Sequence, residues 1–303
     1  VKLAIYDDHR LGLVDAECGT ITPLAGPPGR LGSDPLGAGW WVRLCRDIAD
    51  GAGAPPARGL DPLPLDGVRL RAPVLNPGKV IACASNYAAH VAEMREEVLP
   101  RTGVMDASWL LDFDVFLKAP SSIVGPSDRI VLPESAVEAG SEVHHEGELA
   151  IVIGRGGRHI PEHEALDHVL GYVVSLDITI RGPGDRSRRK SHPTFTPLGP
   201  WLTTADEIRD WAELPIEVAV NEQVRQQVRC GDMLVPVPAI VSHASRVMGL
   251  RPGDVILTGA PPGVGPIEPG DVVGVSIGPL GTMTMPVVAE ERVPAGREGR
   301  GAA

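Results

Sequence analysis

The chain has 303 residues, 43% of them hydrophobic, and 28 Lys and Arg against 39 Asp and Glu give a formal net charge of −11. That acidity argues against nucleic acid as a partner, although a small anion remains acceptable where cations line a site. No apolar run approaches the roughly 20 residues of a membrane span, and the length suits one large domain, alone or with a small one.

High glycine (36) and proline (30) with only 4% aromatic residues favour many short strands and turns, hence an α+β, mainly β chain. Two short strands open it, Lys2 to Tyr6 and Gly12 to Val14. Residues 40–50 carry Trp41, Leu44, Cys45 and Ile48 at helical spacing. A Gly-, Ala- and Pro-rich linker spans 51–64, and 68–72 alternates like an edge strand. Together these predict a small N-terminal α/β domain over 1–72 and a larger domain over 73–292.

The larger domain opens with a strand at 79–83 and a helix over 86–97. Residues 98–112 show no period and read as a mobile loop. Short strands are expected at 115–118 and 129–133. Pro161 at the first helical position and Gly171 as a stop predict a helix over 161–170. Thr204-Ala-Asp-Glu207 is a capping-box pattern for a helix to Leu214. Another helix is expected over 238–249 and a strand over 255–258. A hairpin turns at Gly278 to Gly281 between 271–276 and 282–288. The tail, 293–303, reads as flexible.

The four cysteines, Cys18, Cys45, Cys83 and Cys230, form no Cys-x-x-Cys pair. They fit reduced, mostly buried thiols in a cytoplasmic protein, and charges as early as Lys2 and Asp7 do not suit a signal peptide. Two glycine-rich stretches are set aside. Ile153-Gly-Arg-Gly-Gly-Arg158 has His159 where a dinucleotide fingerprint needs glycine, and 259–265 lacks the Gly-Lys-Ser/Thr ending of a phosphate loop.

Glu146-Gly147-Glu148 is the chemically richest segment. On a strand, residues i and i+2 share a face, so two carboxylates stand side by side at the entrance to the apolar run 149–153. Asp177 interrupts a second apolar run, 171–180. Like charges at the mouth of a core call for a cation between them, and an all-oxygen set suits Mg²⁺ before Mn²⁺ or Ca²⁺. His144 and His145 beside it either tune or extend that metal site or, as the first reading, are outer or surface groups.

His90 and Glu93, three apart on a helix, meet as an imidazole oriented by a carboxylate, which a general base for water requires. Lys118 ends an apolar strand and either snorkels outward or points into a cleft. Arg181, Arg186, Arg188, Arg189 and Lys190 put five cations in ten residues, either a loop that meets an anionic substrate or a solvated one.

These motifs in this order resemble the fumarylacetoacetate hydrolase family. The matching text is Asn86-Tyr-x-x-His90-x-x-Glu93, Phe116-Leu-Lys118, Glu146-x-Glu148-Leu, Gly171-Tyr through Asp177, and Arg181. It continues through Lys190-Ser, Thr194-Phe-x-Pro-Leu-Gly-Pro-Trp201, Leu250-Arg-Pro-Gly-Asp254 and Leu257-Thr-Gly259. The resemblance implies a mixed β-roll with short helices, paired as a homodimer. It implies that Glu146, Glu148 and Asp177 hold Mg²⁺ or Mn²⁺, with Ca²⁺ as a substitute, and that His90 with Glu93 activates water. Lys118 and Lys190 would bind substrate oxygens or stabilise the transition state. Tyr87, Arg181, Thr258 and Ala260 would face substrate, and residues 91–114 would form a lid.

By that resemblance the chain would hydrolyse a C–C bond in a 2-oxoacid or 1,3-dicarbonyl compound through a metal-stabilised enolate. Decarboxylation or tautomerisation of an oxoacid is the alternative on the same site, and a non-catalytic metal- or ligand-binding protein is the third. The chain departs from the family pattern at Pro193 (usually Asp), at Ala260 (usually Thr) and at Gly182-Pro-Gly184 (usually Asp, with a Gln soon after). The metal set is intact, while the substrate-recognition parts differ.

Overall fold

Gly147–Ile153 and Val169–Leu176, adjacent antiparallel strands, are buried at every position. Leu149, Ile151 and Ile153 enter one core, and Ala150 and Val152 enter another with Leu3 and Trp41. Alternate side chains thus serve opposite faces, and both faces are covered, so these strands read as unbroken apolar runs. The computed structural model describes residues 1–26, 38–103 and 112–291, and the fold is mainly β with short helices, as expected.

Among the described residues, twelve strands form the largest sheet. Its path runs Leu63–Pro64, Thr20–Pro23, Arg10–Asp15, Lys2–Tyr6, Thr196–Thr204, Val169–Leu176, Gly147–Ile153, Val255–Leu257, Val80–Ala84 and Asp114–Lys118. On that path the parallel pair is Val255–Leu257 with Val80–Ala84. A five-stranded sheet that includes Pro215–Val220 and Val272–Ile277 packs on the Leu149 face. A three-stranded sheet holds Val143–His145 between Thr179–Ile180 and Gly265–Pro266.

The N-terminal strands join the large sheet through Lys2↔Thr203 and Leu3↔Leu202. The boundary expected near residue 72 therefore falls within one continuous hydrogen-bonded sheet. The expected tail at 293–303 lies outside the described residues, as do positions 104–111 of the expected loop and lid.

Several helical expectations are corrected. The helix expected over 86–97 starts at Ala88 and runs to Arg101 through a π-helical stretch, Met94–Val98. It starts late because Asn86 is committed elsewhere, to Thr258 and Val235. It runs on because Met94, Val98 and Leu99 pack on Ala260 and Val264, so the part of the expected loop at 98–101 is helical. Residues 161–170 hold a 3-10 stretch, Glu162–His168, and then enter the strand Val169–Leu176. Gly171 is no helix stop: a Cβ there would lie 2.1 Å from the Thr203 carbonyl oxygen, so it lets two strands close together. The expected helix after Thr204 is two 3-10 turns, Ala205–Glu207 and Trp211–Glu213, and the Thr204 hydroxyl donates to the Val1 carbonyl at 3.1 Å instead of capping.

Gly147 has a similar reason. A Cβ there would stand 2.2 Å from Val218 Cγ2 of the facing sheet. Gly147→Ala is expected to cost roughly 1–3 kcal/mol through overpacking, read as a lowered denaturant midpoint. An unchanged midpoint would mean the two sheets part freely.

Candidate metal centre

Glu146 sits between Val143–His145 and Gly147–Ile153, and its carbonyl accepts the Asp177 N–H at 2.8 Å. Strand alternation places Glu148 beside Glu146, and the neighbouring strand delivers Asp177 opposite. One carboxylate oxygen from each lies within 4.8 Å of the others, and the residues are 3%, 1% and 1% exposed.

Three anions at this depth need compensation. Lys190 Nζ donates to Glu146 Oε2 and Asp177 Oδ2, both at 2.6 Å, and to Thr179 Oγ1 at 2.5 Å. Lys118 Nζ donates to Asp177 Oδ1, and to the Phe195 carbonyl at 2.8 Å. Arg181 Nη2 donates to Glu146 Oε1 at 2.5 Å. Lys118 therefore points inward, and Arg181 and Lys190 leave the solvated loop for the acidic ring.

Glu148 is treated differently. Its Oε2 accepts the Gly259 N–H at 2.6 Å, and among the described residues no salt bridge reaches it. Burial pushes its carboxyl well above the usual range, reinforced by Asp177 and Glu146. Burial acts on Glu146 in the same direction, but Lys190 and Arg181 hold that carboxyl well below it. Burial lowers Lys118 against the pull of Asp177. A ring of oxygen donors with one carboxylate lacking a cation fits a hard divalent ion.

His90 Nδ1 lies 3.1 Å from Glu93 Oε2, and Glu93 Oε1 accepts the Gly263 N–H at 2.9 Å. The pair is thus tied to the loop after Ala260. A carboxylate at Nδ1 holds the tautomer whose Nε2 is a base. His90, Glu146, Arg181, Lys190 and Ala260 all line a cavity of about 560 Å³.

Two expected substrate contacts do not reach that cavity. Tyr87 is taken up by the main core, and the Thr258 hydroxyl donates to the Leu149 carbonyl at 3.0 Å. His144 and His145 are buried, not surface groups. Burial, then Arg181, lowers His144 to about 3, and burial lowers His145 to about 4. Both are therefore neutral near pH 7. Of the thiols, Cys18 is exposed and the other three are buried.

Gln226 is a residue that local pattern misses. It sits in the polar-looking strand Gln223–Arg229 yet is fully buried. Its Oε1 accepts the Gly147 N–H at 3.0 Å and faces His145 Nδ1 at 3.3 Å, and its Nε2 donates to the Pro261 carbonyl at 2.8 Å. Gly259 enters the sequence pattern only as motif text; its φ of +99° and a would-be Cβ 2.8 Å from Asn86 Cβ require glycine there.

The sequence profile described as fumarylacetoacetate (FAA) hydrolase C-terminal matches residues 79–288. A maleylpyruvate hydrolase of Aquipseudomonas alcaligenes is 42% identical over 224 residues, 74% of this chain and 77% of that one. An oxaloacetate tautomerase of Xenopus laevis is 39% identical over 234 residues, 73% of this chain and 69% of that one. The crystal structure of a maleylpyruvate hydrolase from Sphingobium sp. SYK-6, in complex with manganese(II) and pyruvate, superposes with a TM-score of 0.77. It is 35% identical, and the match covers 96% of this chain and all of that one.

Proposed function

The chain belongs to the fumarylacetoacetate hydrolase family of enzymes, and on that premise we propose a divalent-metal-dependent hydrolase that cleaves a C–C bond in a 2-oxoacid or 1,3-dicarbonyl substrate. The observation that carries this is the buried triad of Glu146, Glu148 and Asp177, whose Glu146 lines the same cavity as His90 of the oriented His90–Glu93 pair. Glu146, Glu148 and Asp177 would hold Mg²⁺ or Mn²⁺. When bound, the ion supplies Lewis-acid polarisation of a carbonyl and charge stabilisation for the enolate that leaves.

The chain's own groups do the remaining work. His90 Nε2 takes a proton from water, and Glu93 at Nδ1 steadies the imidazolium that results. The hydroxide adds to the carbonyl distal to the oxoacid head, and the C–C bond breaks towards the head. One fragment leaves as a carboxylic acid and the other as an enolate, to whose carbon His90 can return its proton. Lys190 and Lys118 would stabilise negative charge on substrate oxygens. Ala260 lies against the apolar helix residues Met94 and Leu99, and so presents a methyl where the family pattern has a hydroxyl. The setting consistent with this reading is a cytoplasmic homodimer. Among the described residues, no helix is long and apolar enough to cross a membrane.

Tautomerisation is the second reading, favoured by the similarity to an oxaloacetate tautomerase. Stripping the protein of metal and restoring Mg²⁺ or Mn²⁺ should switch turnover of acylpyruvates, oxaloacetate or 1,3-diketones off and on. The best substrate would choose between hydrolysis and tautomerisation. Tight metal binding without turnover of any of them would count against an enzyme of this class.

A further inference from the structure

Gln226 owes its inward position to a break in strand pairing. Between Pro215–Val220 and Gln223–Arg229 the partners pass from Val218↔Gln226 to Ala219↔Val224, so Arg225 is an extra residue on its strand. Such a bulge re-aims the side chain beside it. Gln226 is buried, while Val224, Arg225 and Gln227 around it are exposed. Its amide stands between two backbone groups of opposite need. Oε1 takes the N–H of Gly147, the residue between Glu146 and Glu148, and Nε2 gives to the Pro261 carbonyl. His145 Nδ1, 3.3 Å from the same Oε1, is a second donor when that nitrogen carries the proton.

Pro261 belongs to a loop that also touches two carboxylates. Ahead of it, the Gly259 N–H donates to Glu148 Oε2 at 2.6 Å; after it, the Gly263 N–H donates to Glu93 Oε1 at 2.9 Å. Gly263, at φ +91°, lies against the bulge: a Cβ there would stand 1.9 Å from the Arg225 carbonyl oxygen. One end of the loop thus grips the carboxylate ring, the other grips the carboxylate that orients His90, and Gln226 holds the middle. The ring has braces of its own in Lys118, Lys190 and Arg181. Among the described residues, the side-chain hydrogen bonds that tie residues 260–263 are those of Gln226 and Glu93.

We propose that Gln226 is a positioning residue: through Pro261 to Gly263 it fixes Glu93, and with it His90, relative to the carboxylate ring. The assignment rests on the hydrolase reading, in which His90 takes a proton from water. A reacting group displaced by about 1 Å can lose on the order of a hundredfold in rate. The place calls for a neutral amide. An ionised carboxylate would turn a lone pair on the Pro261 carbonyl, and an apolar side chain would leave both backbone groups unpaired.

The test is a double-mutant cycle over wild type, Gln226→Met, Glu93→Gln and the double variant, reading kcat for acylpyruvate hydrolysis and calorimetric Mn²⁺ affinity. Gln226→Met keeps an unbranched stem and makes neither bond. Its kcat should fall by about tenfold to a hundredfold, while Mn²⁺ affinity stays within about threefold of wild type, because the ring keeps its own cations. In the Glu93→Gln protein, where the base is already lost, the same change should cost less than about threefold more, since residues that act through one group are not additive. A purely structural role would give the full loss again in that background and would overturn the assignment. An unchanged kcat in Gln226→Met would overturn it too, as would kcat and Mn²⁺ affinity falling together, which would make Gln226 a brace of the ring. Should Gln226→Met not fold, Gln226→Glu carries the same cycle with the same expected and overturning results: it keeps an acceptor for Gly147 and, ionised, has no proton for Pro261. No hydrolysis by the Mn²⁺-loaded wild type would overturn the hydrolase reading and this assignment together.

Discussion

Glu148→Gln is expected to yield a protein at least as stable as wild type without divalent cation, yet unable to use one. The Glu148 carboxyl is buried beside Glu146 and Asp177, and no salt bridge among the described residues offsets a charge on it. Its carboxyl is raised well above the usual range. A carboxyl whose folded-state pKa exceeds its unfolded value costs stability once the pH rises above the unfolded value. A neutral amide of the same shape removes that cost and still offers an oxygen to the Gly259 N–H. The same change deletes an anionic donor from the ring. Cation affinity should fall at least about 100-fold, and hydrolysis by on the order of 10³-fold, as expected when several kcal/mol of transition-state stabilisation are lost.

Asp177→Ala makes the contrast. It strands the buried Lys118 and takes from Lys190 one of its two carboxylates, and leaving a buried charge without its partner costs about 3–5 kcal/mol. Melting temperatures with and without Mn²⁺, together with calorimetric Mn²⁺ affinity, separate the two. A Glu148→Gln protein that melts well below wild type without cation, or that binds Mn²⁺ normally, would refute the assignment.

The second large effect concerns water. Glu93→Gln and His90→Ala should each lower hydrolysis by about 10²–10⁴-fold while sparing decarboxylation of an oxoacid in the same protein. Decarboxylation needs no attacking water. The amide introduced by Glu93→Gln can donate to His90 Nδ1, which places the proton on Nε2 and removes the base. Its oxygen can still accept the Gly263 N–H, so the loop contact need not be lost. The check is kcat for acylpyruvate hydrolysis beside oxaloacetate decarboxylation. Equal loss of both reactions would make His90 a substrate contact rather than a base for water, and no loss in either would remove it from the mechanism.

Much of the candidate metal centre is legible one residue at a time. Glu146 and Glu148 follow from the two-residue repeat of a strand, and His90 and Glu93 from the spacing of a helix. The apolar runs around Leu149 and Val173 announce strands buried on both faces. The helical errors share one cause: propensity is a weak term beside tertiary demand. Gly171 resembles a helix stop but serves close strand approach, and Asn86 resembles a helix start but commits its side chain to Thr258 and Val235.

By itself, the sequence determined which donors exist and on which face of their own element they stand. Those are local periodicities, written within a few residues. Only the tertiary structure decided how the buried charges pair: Lys118 with Asp177, 59 positions away, Lys190 with Glu146, 44 away, and Gln226 with Gly147, 79 away. It also decided that Glu148 has no salt bridge among the described residues and that Arg186 reaches the cavity while Arg188 does not. The physical reason is that a buried charge is settled by whatever opposite charge the fold brings within a few ångströms. Sequence spacing limits which groups can meet only along a single strand or helix.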